Sequence, residues 1–454
     1  MVKSILLREA RAIVRAKYGS ISIIKHGTVE RRSQGSDPGS RFRSRLTPYL
    51  TEDLLEEILS WLPVKSLTRF KCVKNSWSTA TFFRNPSFIA KQQRHRFQTN
   101  ADLVVASCDL MHLRDCPCIL ILKMLILKEY ALLARRRLWT GRWPTSIDRI
   151  VCLHQRHNLV GSTFYSGFSG FFLWNPTIRE SKVVRYLRVP KCPAHVAIKP
   201  SPCNPTVRYG FGHDHNSNIY KVIRIVNYRG HMRESHKAAM LFMFTTYTGF
   251  WRQIMNSAAT DRSNITLLDY CNFAFLNGVH HWYGSSVTDD NGNRKYTEVI
   301  VSFDMSHEVC GLIRLPNGVF NKQSLPQRDS TVFSFMKELA LFNNCLALIV
   351  FNACRKIPEK YFNIWVMREN GVEDSWTKQL VVGPLEGIRR PLGFVKNEEL
   401  ILLRDHEDHT VALYNIGSQE IKNLQRSGLP NSFYPRCALL YVESLVSLNS
   451  GNVF

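Results

Sequence analysis

The sequence is short of acid. Against 60 Lys and Arg it sets 36 Asp and Glu, a formal charge of +24 over 454 residues. That excludes an acidic solvating protein. It leaves a nucleic-acid partner open without requiring one, because charge governs solubility and encounter rather than fold. Cysteine is scarce, 12 in the whole chain, too few for a disulfide scaffold. No secretory signal peptide is legible, so a reducing compartment is expected: cytosol, nucleus or both. Long hydrophobic runs are missing. The most apolar stretch, Cys118 to Ala134, is interrupted by Lys123, Lys128 and Glu129. A membrane span needs about 20 mostly apolar residues, so a core or amphipathic helix is expected there, and no membrane partner.

Motifs of catalysis are missing too. There is no Walker loop, dinucleotide fingerprint or Gly-x-Ser-x-Gly elbow. Tyr209-Gly210-Phe211-Gly212 lacks the spacing and the following helix of a phosphate cradle, and its glycines suit a tight strand edge. The nearest metal-like clusters are Cys116-x-Cys118, Cys152-x-His154-x-x-His157, His307-x-x-Cys310 and His406-x-x-His409. No two of them form the paired spacing of a four-ligand zinc site. His280 and His281 are expected on a strand, one ring inward and one outward. No catalytic residue, metal ligand or cofactor is assigned.

What is present falls into distinct textures. Residues 1–46 carry eleven Lys/Arg against Glu9, Glu30 and Asp37, and the run Ser33–Ser40 has linker composition. This segment reads as a basic, disordered extension, with an organelle transit peptide or a basic arm for an acidic partner as alternatives. From Thr51 to Leu62 a compact helix is expected. Thr51 suits the N-cap, Glu52 and Asp53 suit the positive end of the helix dipole, and Leu50 and Leu55 stand at staple spacing. Leu54, Leu55, Ile58, Leu59 and Leu62 make its apolar face, and Pro63 ends it. A second helix is expected from Ser66, with Leu67, Phe70, Val73 and Trp77 on one side. A break at Asn85-Pro86 precedes a short third segment. Residues 96–150 form a poorly defined connection.

From about residue 151 to 445 the pattern is strand-like, with short β-branched and aromatic runs such as Tyr220–Val226, Phe242–Tyr247, Glu298–Phe303, Ala347–Phe351 and Val411–Tyr414. Two kinds of unit alternate. One is strand, polar turn, strand: residues 244–251, 303–312, 364–376 and 413–421. The other is a tight apolar hairpin: 275–282, 341–348 and 394–401. Asn277-Gly278 is a strong hairpin turn because both residues tolerate positive φ. The combined period, roughly 50–65 residues, is near that of four-stranded propeller blades. A β-sandwich is the alternative. Residues 446–454 are expected to be a tail.

Residues 47–95 resemble an F-box. The matching residues are Asp53-Leu54, Glu57-Ile58-Leu59, Leu62-Pro63-Val64-Lys65-Ser66-Leu67, Arg69-Phe70, Cys72-Val73, Ser76-Trp77 and Asn85-Pro86-Ser87-Phe88. Residues further on resemble the F-box-associated domain of a large plant family, type 1, kelch- or propeller-like. They include Leu173-Trp174-Asn175-Pro176, Tyr209-Gly210-Phe211-Gly212, Leu276-Asn277-Gly278 with His281-Trp282, and Ser302-Phe303-Asp304. Two departures stand out: Leu50 is followed by Thr51 where the family usually has Pro, and Lys74-Asn75 replaces a Ser-Lys pair.

The resemblance implies an α+β multidomain chain, a small helical F-box followed by a mostly-β, propeller-like domain. It implies a non-catalytic substrate-receptor subunit of a Skp1–cullin–F-box ubiquitin ligase. The F-box would bind a Skp1-type adaptor, and through it a cullin, while the β domain holds an unknown target protein. The residues expected at the adaptor are Leu50, Leu54, Ile58, Leu62, Pro63, Leu67, Val73 and Trp77, since this is more apolar surface than three short helices hide alone. Two other functions compete. A basic nucleic-acid binder predicts clustered cations interleaved with stacking aromatics, and here the charge is spread. A scaffold that binds the adaptor without a ubiquitination client is the other. Target choice is expected in the polar stretches 227–237, 285–295 and 404–409.

Overall fold

The computed structural model describes residues 52–70, 83, 85–99, 102–107, 141–147, 150–155, 170–175, 177–178, 180–185, 206–214, 216–217, 219–229, 237–254, 265–267, 273–290, 293–319, 335–354, 356–395, 399–405, 410–424, 435–441 and 443–448. The chain divides into two compact units. One comprises Met1–Ala101, Asn175–Glu180 and Val442–Phe454; the other comprises Asp102–Trp174 and Ser181–Tyr441.

The first unit holds three helices: α1 (Glu52–Ser60), α2 (Val64–Phe70) and α3 (Pro86–Thr99). Pro63 separates α1 from α2, and its carbonyl accepts the amides of Ser66 and Leu67. The second helix therefore begins two residues earlier than expected. The third is a full 14 residues rather than a short segment. Asn85 caps it, its Oδ1 accepting from the Ser87 amide at 3.0 Å and the Ser87 hydroxyl at 2.9 Å. Pro86 occupies the first turn, where a missing N–H costs nothing. Ile58, Leu59, Leu62, Val64, Leu67, Phe83, Phe88 and Ile89 are buried. In the same unit Asn175 Nδ2 donates to the carbonyls of Ser444 (3.0 Å) and Val446 (2.8 Å). Glu180 accepts from the Ser447 hydroxyl and the Leu448 amide. Val446 and Leu448, expected to lie in a tail, are buried.

The second unit is mostly β. The first described strand, β1 (Asp102–Ser107), pairs antiparallel with the last, β23 (Pro435–Tyr441). Five antiparallel sheets follow in chain order. The first is β2 (Gly141–Ile147), β3 (Ile150–Gln155), β4 (Gly170–Asn175) and β5 (Glu180–Arg185); the second is β6 (Thr206–Asp214), β7 (Ile219–Arg229), β8 (Lys237–Thr245) and β9 (Trp251–Ile254). In the third, β10 (Ile265–Leu267) and β11 (Phe273–Leu276) both pair with β12 (Val279–Asp290), followed by β13 (Asn293–Asp304) and β14 (Cys310–Arg314). The fourth is β15 (Phe335–Phe342), β16 (Cys345–Asn352), β17 (Lys360–Met367) and β18 (Trp376–Leu385). The fifth is β19 (Ile388–Val395), β20 (Glu399–Arg404), β21 (Val411–Asn415) and β22 (Ile421–Asn423).

The alternation in the sequence maps onto this topology. The tight apolar hairpins are the first-to-second-strand connections of the third, fourth and fifth sheets. The strand–polar turn–strand units are the third-to-fourth connections of the second to fifth. Asn277 (φ 49°) and Gly278 (φ 82°) close β11–β12, and Asn343 (φ 48°) and Asn344 (φ 59°) close β15–β16. Both residues of each turn are left-handed, which matches the twist of the flanking strands. Neighbouring sheets meet at β2 beside β6, β6 beside β12, β11 and β12 beside β15, β15 beside β19, β19 beside β23, and β23 beside β2. The apolar core lies between successive sheets. Ile223, Met243, Trp282 and Phe303 fill one junction, Ile300, Leu339, Leu348 and Met367 the next, and Ile349, Phe362, Leu400 and Leu402 the one after.

Three expectations change. Residues 285–295 are mostly strand, since β12 and β13 pair out to Asp290 and Asn293. Residues 227–229 and 237 likewise belong to the β7–β8 pairing. The expected connection 96–150 contains β1 and β2. At 227–237 and 285–295 polar composition reads as loop because composition carries no record of the cross-strand pairing that extends both hairpins.

Candidate functional site

In the helical unit, Glu57 ties α1 to α3. It accepts from Trp61 Nε1 at 3.0 Å and pairs with Lys91 at 2.8 Å. The Trp61 ring stacks on His95 with centroids 3.8 Å apart. Of these side chains only Glu57 figures in the F-box resemblance; Trp61, Lys91 and His95 were given no role in the sequence. Their signal is the i, i+4 spacing of Glu57–Trp61 and Lys91–His95, which places each pair on one helix face. Of the eight residues expected at the adaptor, Ile58, Leu62 and Leu67 are buried and Pro63 is half-buried. Leu54 lies on α1, and its side chain is outside the described residues, as are Leu50, Val73 and Trp77 altogether.

In the β unit, charged groups are buried where successive sheets meet. Lys221 Nζ lies 2.8 Å from Asp214 Oδ2 and 3.3 Å from Glu308, and donates to the Met305 carbonyl at 2.6 Å. Ser306 donates to Asp214 at 2.6 Å. Burial alone would raise the Asp214 carboxyl; the hydrogen bonds from Lys221, Ser217 and Ser306 outweigh it and hold the group well below the usual carboxylate range. Arg252 closes the cluster onto both oxygens of Glu308. Lys337 pairs with Glu298 at 2.8 Å, and Arg390 with Glu338 at 2.8 Å. The charged groups in these clusters are paired within the fold, which suits holding sheets in register rather than chemistry on a substrate.

His280 and His281 occupy opposite faces of β12, as alternation demands, yet both are buried. The expected outward ring is covered because a sheet neighbours this one on either side. His280 stacks on Trp282 with centroids 4.1 Å apart. Burial, with the neighbouring His281 charge, drives its pKa well below the ordinary value, and burial lowers His281 to about 4. The two glycines of Tyr209-Gly210-Phe211-Gly212 lie on β6, an edge strand of the second sheet, as expected. A Cβ on Gly210 would fall 2.6 Å from the Trp282 ring and 2.9 Å from His280, and one on Gly212 2.6 Å from Phe275. They let the second and third sheets approach closely.

Among the described residues no group of three or more His, Cys, Asp or Glu is placed to hold a metal ion. In the metal-like pattern His307-x-x-Cys310, to which no metal was assigned, His307 bonds Asp304 at 2.9 Å, and Cys310 is half-buried and outside any disulfide. The side chains of Cys152 and His154, and residues 116, 118, 157, 406 and 409, lie outside the described residues. No described helix is long and apolar enough to cross a membrane.

A helical module ahead of a repeated antiparallel β unit is the class of protein these observations define. Residues 162–448 match the family described as F-box associated beta propeller domain. Among curated relatives, the F-box/kelch-repeat protein At3g23880 of Arabidopsis thaliana is 25% identical over 90% of this chain and 98% of its own length. The F-box protein CPR1 of the same plant is 26% identical over 53% of this chain and 56% of its own, and the F-box protein At3g07870 is 23% identical over 85% and 89%. The chain belongs to the plant F-box proteins that carry a C-terminal F-box-associated domain.

Proposed function

We propose that this chain is the substrate-receptor subunit of a Skp1–cullin–F-box ubiquitin ligase. The observation that carries the reading is the order of parts in one chain: a three-helix module at the residues resembling an F-box, upstream of the matched F-box-associated domain. The module binds a Skp1-type adaptor, with Leu50, Leu54, Ile58, Leu62, Pro63, Leu67, Val73 and Trp77 as the residues that form or support the contact, the buried Ile58, Leu62 and Leu67 acting from beneath it. The adaptor brings the cullin, and the β unit holds the target. Transfer of ubiquitin is then the work of partner enzymes, so this chain contributes position and proximity. It acts in the cytosol, the nucleus or both.

The β unit is read as a propeller. Support comes from the circuit of strand contacts, β2–β6–β12–β15–β19–β23 and back to β2, and from the pairing of first and last strands, β1 with β23. Closing a ring this way leaves only short protected edges. In that reading the stretches around 227–237, 285–295 and 404–409 are all second-to-third-strand connections, and share one face.

The test is affinity purification of the tagged full chain from plant tissue, with and without an inhibitor of protein degradation. Co-recovery of a Skp1-type adaptor and a cullin, with a client that accumulates under the inhibitor, supports the reading. Adaptor without any such client favours the scaffold. Recovery of nucleic acid that is lost with rising salt, and no adaptor, favours the basic nucleic-acid binder.

A further inference from the structure

The chain leaves β23 at Tyr441 and does not trail away. Residues 443–447 form neither helix nor strand, yet Ser444, Leu445, Val446 and Leu448 are buried. The segment is held by two side chains, one at each end of the turn that joins β4 to β5. Asn175 Nδ2 donates to the carbonyls of Ser444 and Val446, while its Oδ1 accepts from the Thr177 amide at 3.1 Å. Glu180 Oε2 accepts from the Ser447 hydroxyl at 2.6 Å and from the Leu448 amide at 2.8 Å. Within the segment the Ser444 hydroxyl accepts from the Val446 amide.

Buried backbone groups need partners, and here side chains supply them where a ladder would elsewhere. Asn175, itself wholly buried, has both amide hydrogens and its oxygen engaged. Such an attachment differs from a strand pair. A ladder spreads its hydrogen bonds over many residues, whereas Asn175 and Glu180 each make two bonds to the segment, so one altered residue removes two at once. Chain continuity passes the attachment on. Asn175 ends β4, Glu180 begins β5, and the segment follows β23, which pairs with β1. The pair formed by the first and last described strands is thereby tied to the sheet β2–β5. The fourth and fifth sheets stand apart from it: their shared core, Ala340 to Tyr414, includes no residue from either side of the attachment.

We infer that Ser444–Leu448 is a clasp, caught by Asn175 and Glu180, whose release lets the first sheet and the β1–β23 pair open as one local unit while the fourth and fifth sheets stay folded. Proteins open in contiguous cooperative pieces, and a piece fastened at a few side chains opens where they let go. Ser447 is the outer catch. It is half-buried, and its hydroxyl meets a carboxylate, so negative charge placed at this position is repelled by Glu180 and loosens the clasp. The device belongs to the fold and holds whether or not the chain serves as a ligase receptor.

The experiment is amide hydrogen exchange of the full chain, read by mass spectrometry on peptides that cover each sheet. Three variants are compared with the parent. Asn175→Asp keeps the size of the side chain but turns an oxygen toward the two carbonyls, Ser447→Glu adds charge beside Glu180, and Ser447→Ala removes one hydrogen bond without adding charge. In Asn175→Asp and Ser447→Glu, exchange in β1, β4, β5 and β23 should quicken by roughly tenfold or more, while β15 to β22 keep the parent's rates. Ser447→Ala should act in the same place and less strongly. Faster exchange confined to residues 443–448 would make the segment a passive tail and overturn the inference. So would equal acceleration in every sheet, which would make the attachment one part of a single cooperative fold, or no acceleration at all. If Asn175→Asp does not fold, the two Ser447 variants decide the matter, because they alter a half-buried position; if they too fail to fold, the opening is global and the inference falls.

Discussion

Arg390 donates to Glu338 across 2.8 Å, joining the first strand of one sheet to the first strand of the next with Glu338 only 1% exposed. A carboxylate this deep is costly to ionise, and the Arg390 guanidinium offsets only part of that cost. Burial pushes the Glu338 carboxyl up to about 7 against the pull of Arg390.

A pH dependence follows from Glu338. The folded chain keeps this proton up to about 7 while the unfolded chain releases it near 4.5. Between those values the folded state binds more protons, so this group's stabilisation is full below pH 4.5 and is lost as pH rises through 7. Glu338→Gln cannot titrate. Its stability relative to the parent should improve by about 2–3 kcal/mol between pH 5 and pH 8, read by urea unfolding. A shift in the opposite direction would mean that Arg390 holds Glu338 ionised.

His281 acts with the opposite sign. Its pKa is about 4 folded and 6.5 unfolded, so the unfolded state binds more protons between these values and stability falls as pH drops. From pH 7 to pH 5 this one group should cost the β unit about 2 kcal/mol. His281→Gln should flatten that slope, and His280→Gln should flatten it further. An unchanged slope in both variants would place the acid sensitivity elsewhere.

Gly210→Ala tests the close approach of the second and third sheets. The added methyl would stand 2.6 Å from Trp282 and 2.8 Å from Ile223, contacts a packed core relieves only by shifting rigid groups. A loss of about 1–3 kcal/mol is expected. Gly417→Ala, whose nearest neighbour is 3.5 Å away, should change stability little. Thermal melts of the two variants side by side give the comparison.

In the helical unit Leu62 is 1% exposed. Leu62→Ala should cost about 2–5 kcal/mol of folding free energy through the cavity it leaves, and adaptor affinity should drop with it. Leu62→Met should retain most of both. Trp77→Ala should weaken adaptor binding by about 2 kcal/mol or more. Lys91→Ala, which breaks the partly exposed pair with Glu57, should cost less than about 1 kcal/mol. Titration calorimetry with a Skp1-type adaptor, beside a melt of each variant, separates support of the helices from contact with the partner.

Deleting residues 1–46 should leave adaptor affinity within tenfold, about 1.4 kcal/mol, because α1 begins only at Glu52. A larger loss, measured by the same calorimetry, makes the basic segment part of the interface.

Much of this architecture was legible in the residues. Pro63 separates α1 from α2, Asn85-Pro86 opens α3, and the alternating hairpin units at 275–282, 303–312, 341–348, 364–376, 394–401 and 413–421 are hairpins in the structure. Each rests on nearest-neighbour chemistry: a missing N–H, a capping oxygen, a positive φ, a period of two. The β8–β9 turn was half legible. Residues 244–251 read as strand–turn–strand, but nothing local says that Tyr247 and Phe250 face water when Phe244 and Trp251, equally aromatic, pack together 5.7 Å apart.

The sequence by itself thus determined the helical module, the strand succession and the family. Only the tertiary structure decided what faces each strand. It buried both His280 and His281, set a ring where the Gly210 side chain would be, joined Glu338 to Arg390, and paired β1 with β23 across nearly the whole β unit. The reason is physical. A period of two states which residues share a face, but when neighbouring sheets cover both faces the pattern no longer tells inside from outside. Pairing between distant strands depends on loop closure and on the partner surface, and neither is written in any local stretch of residues.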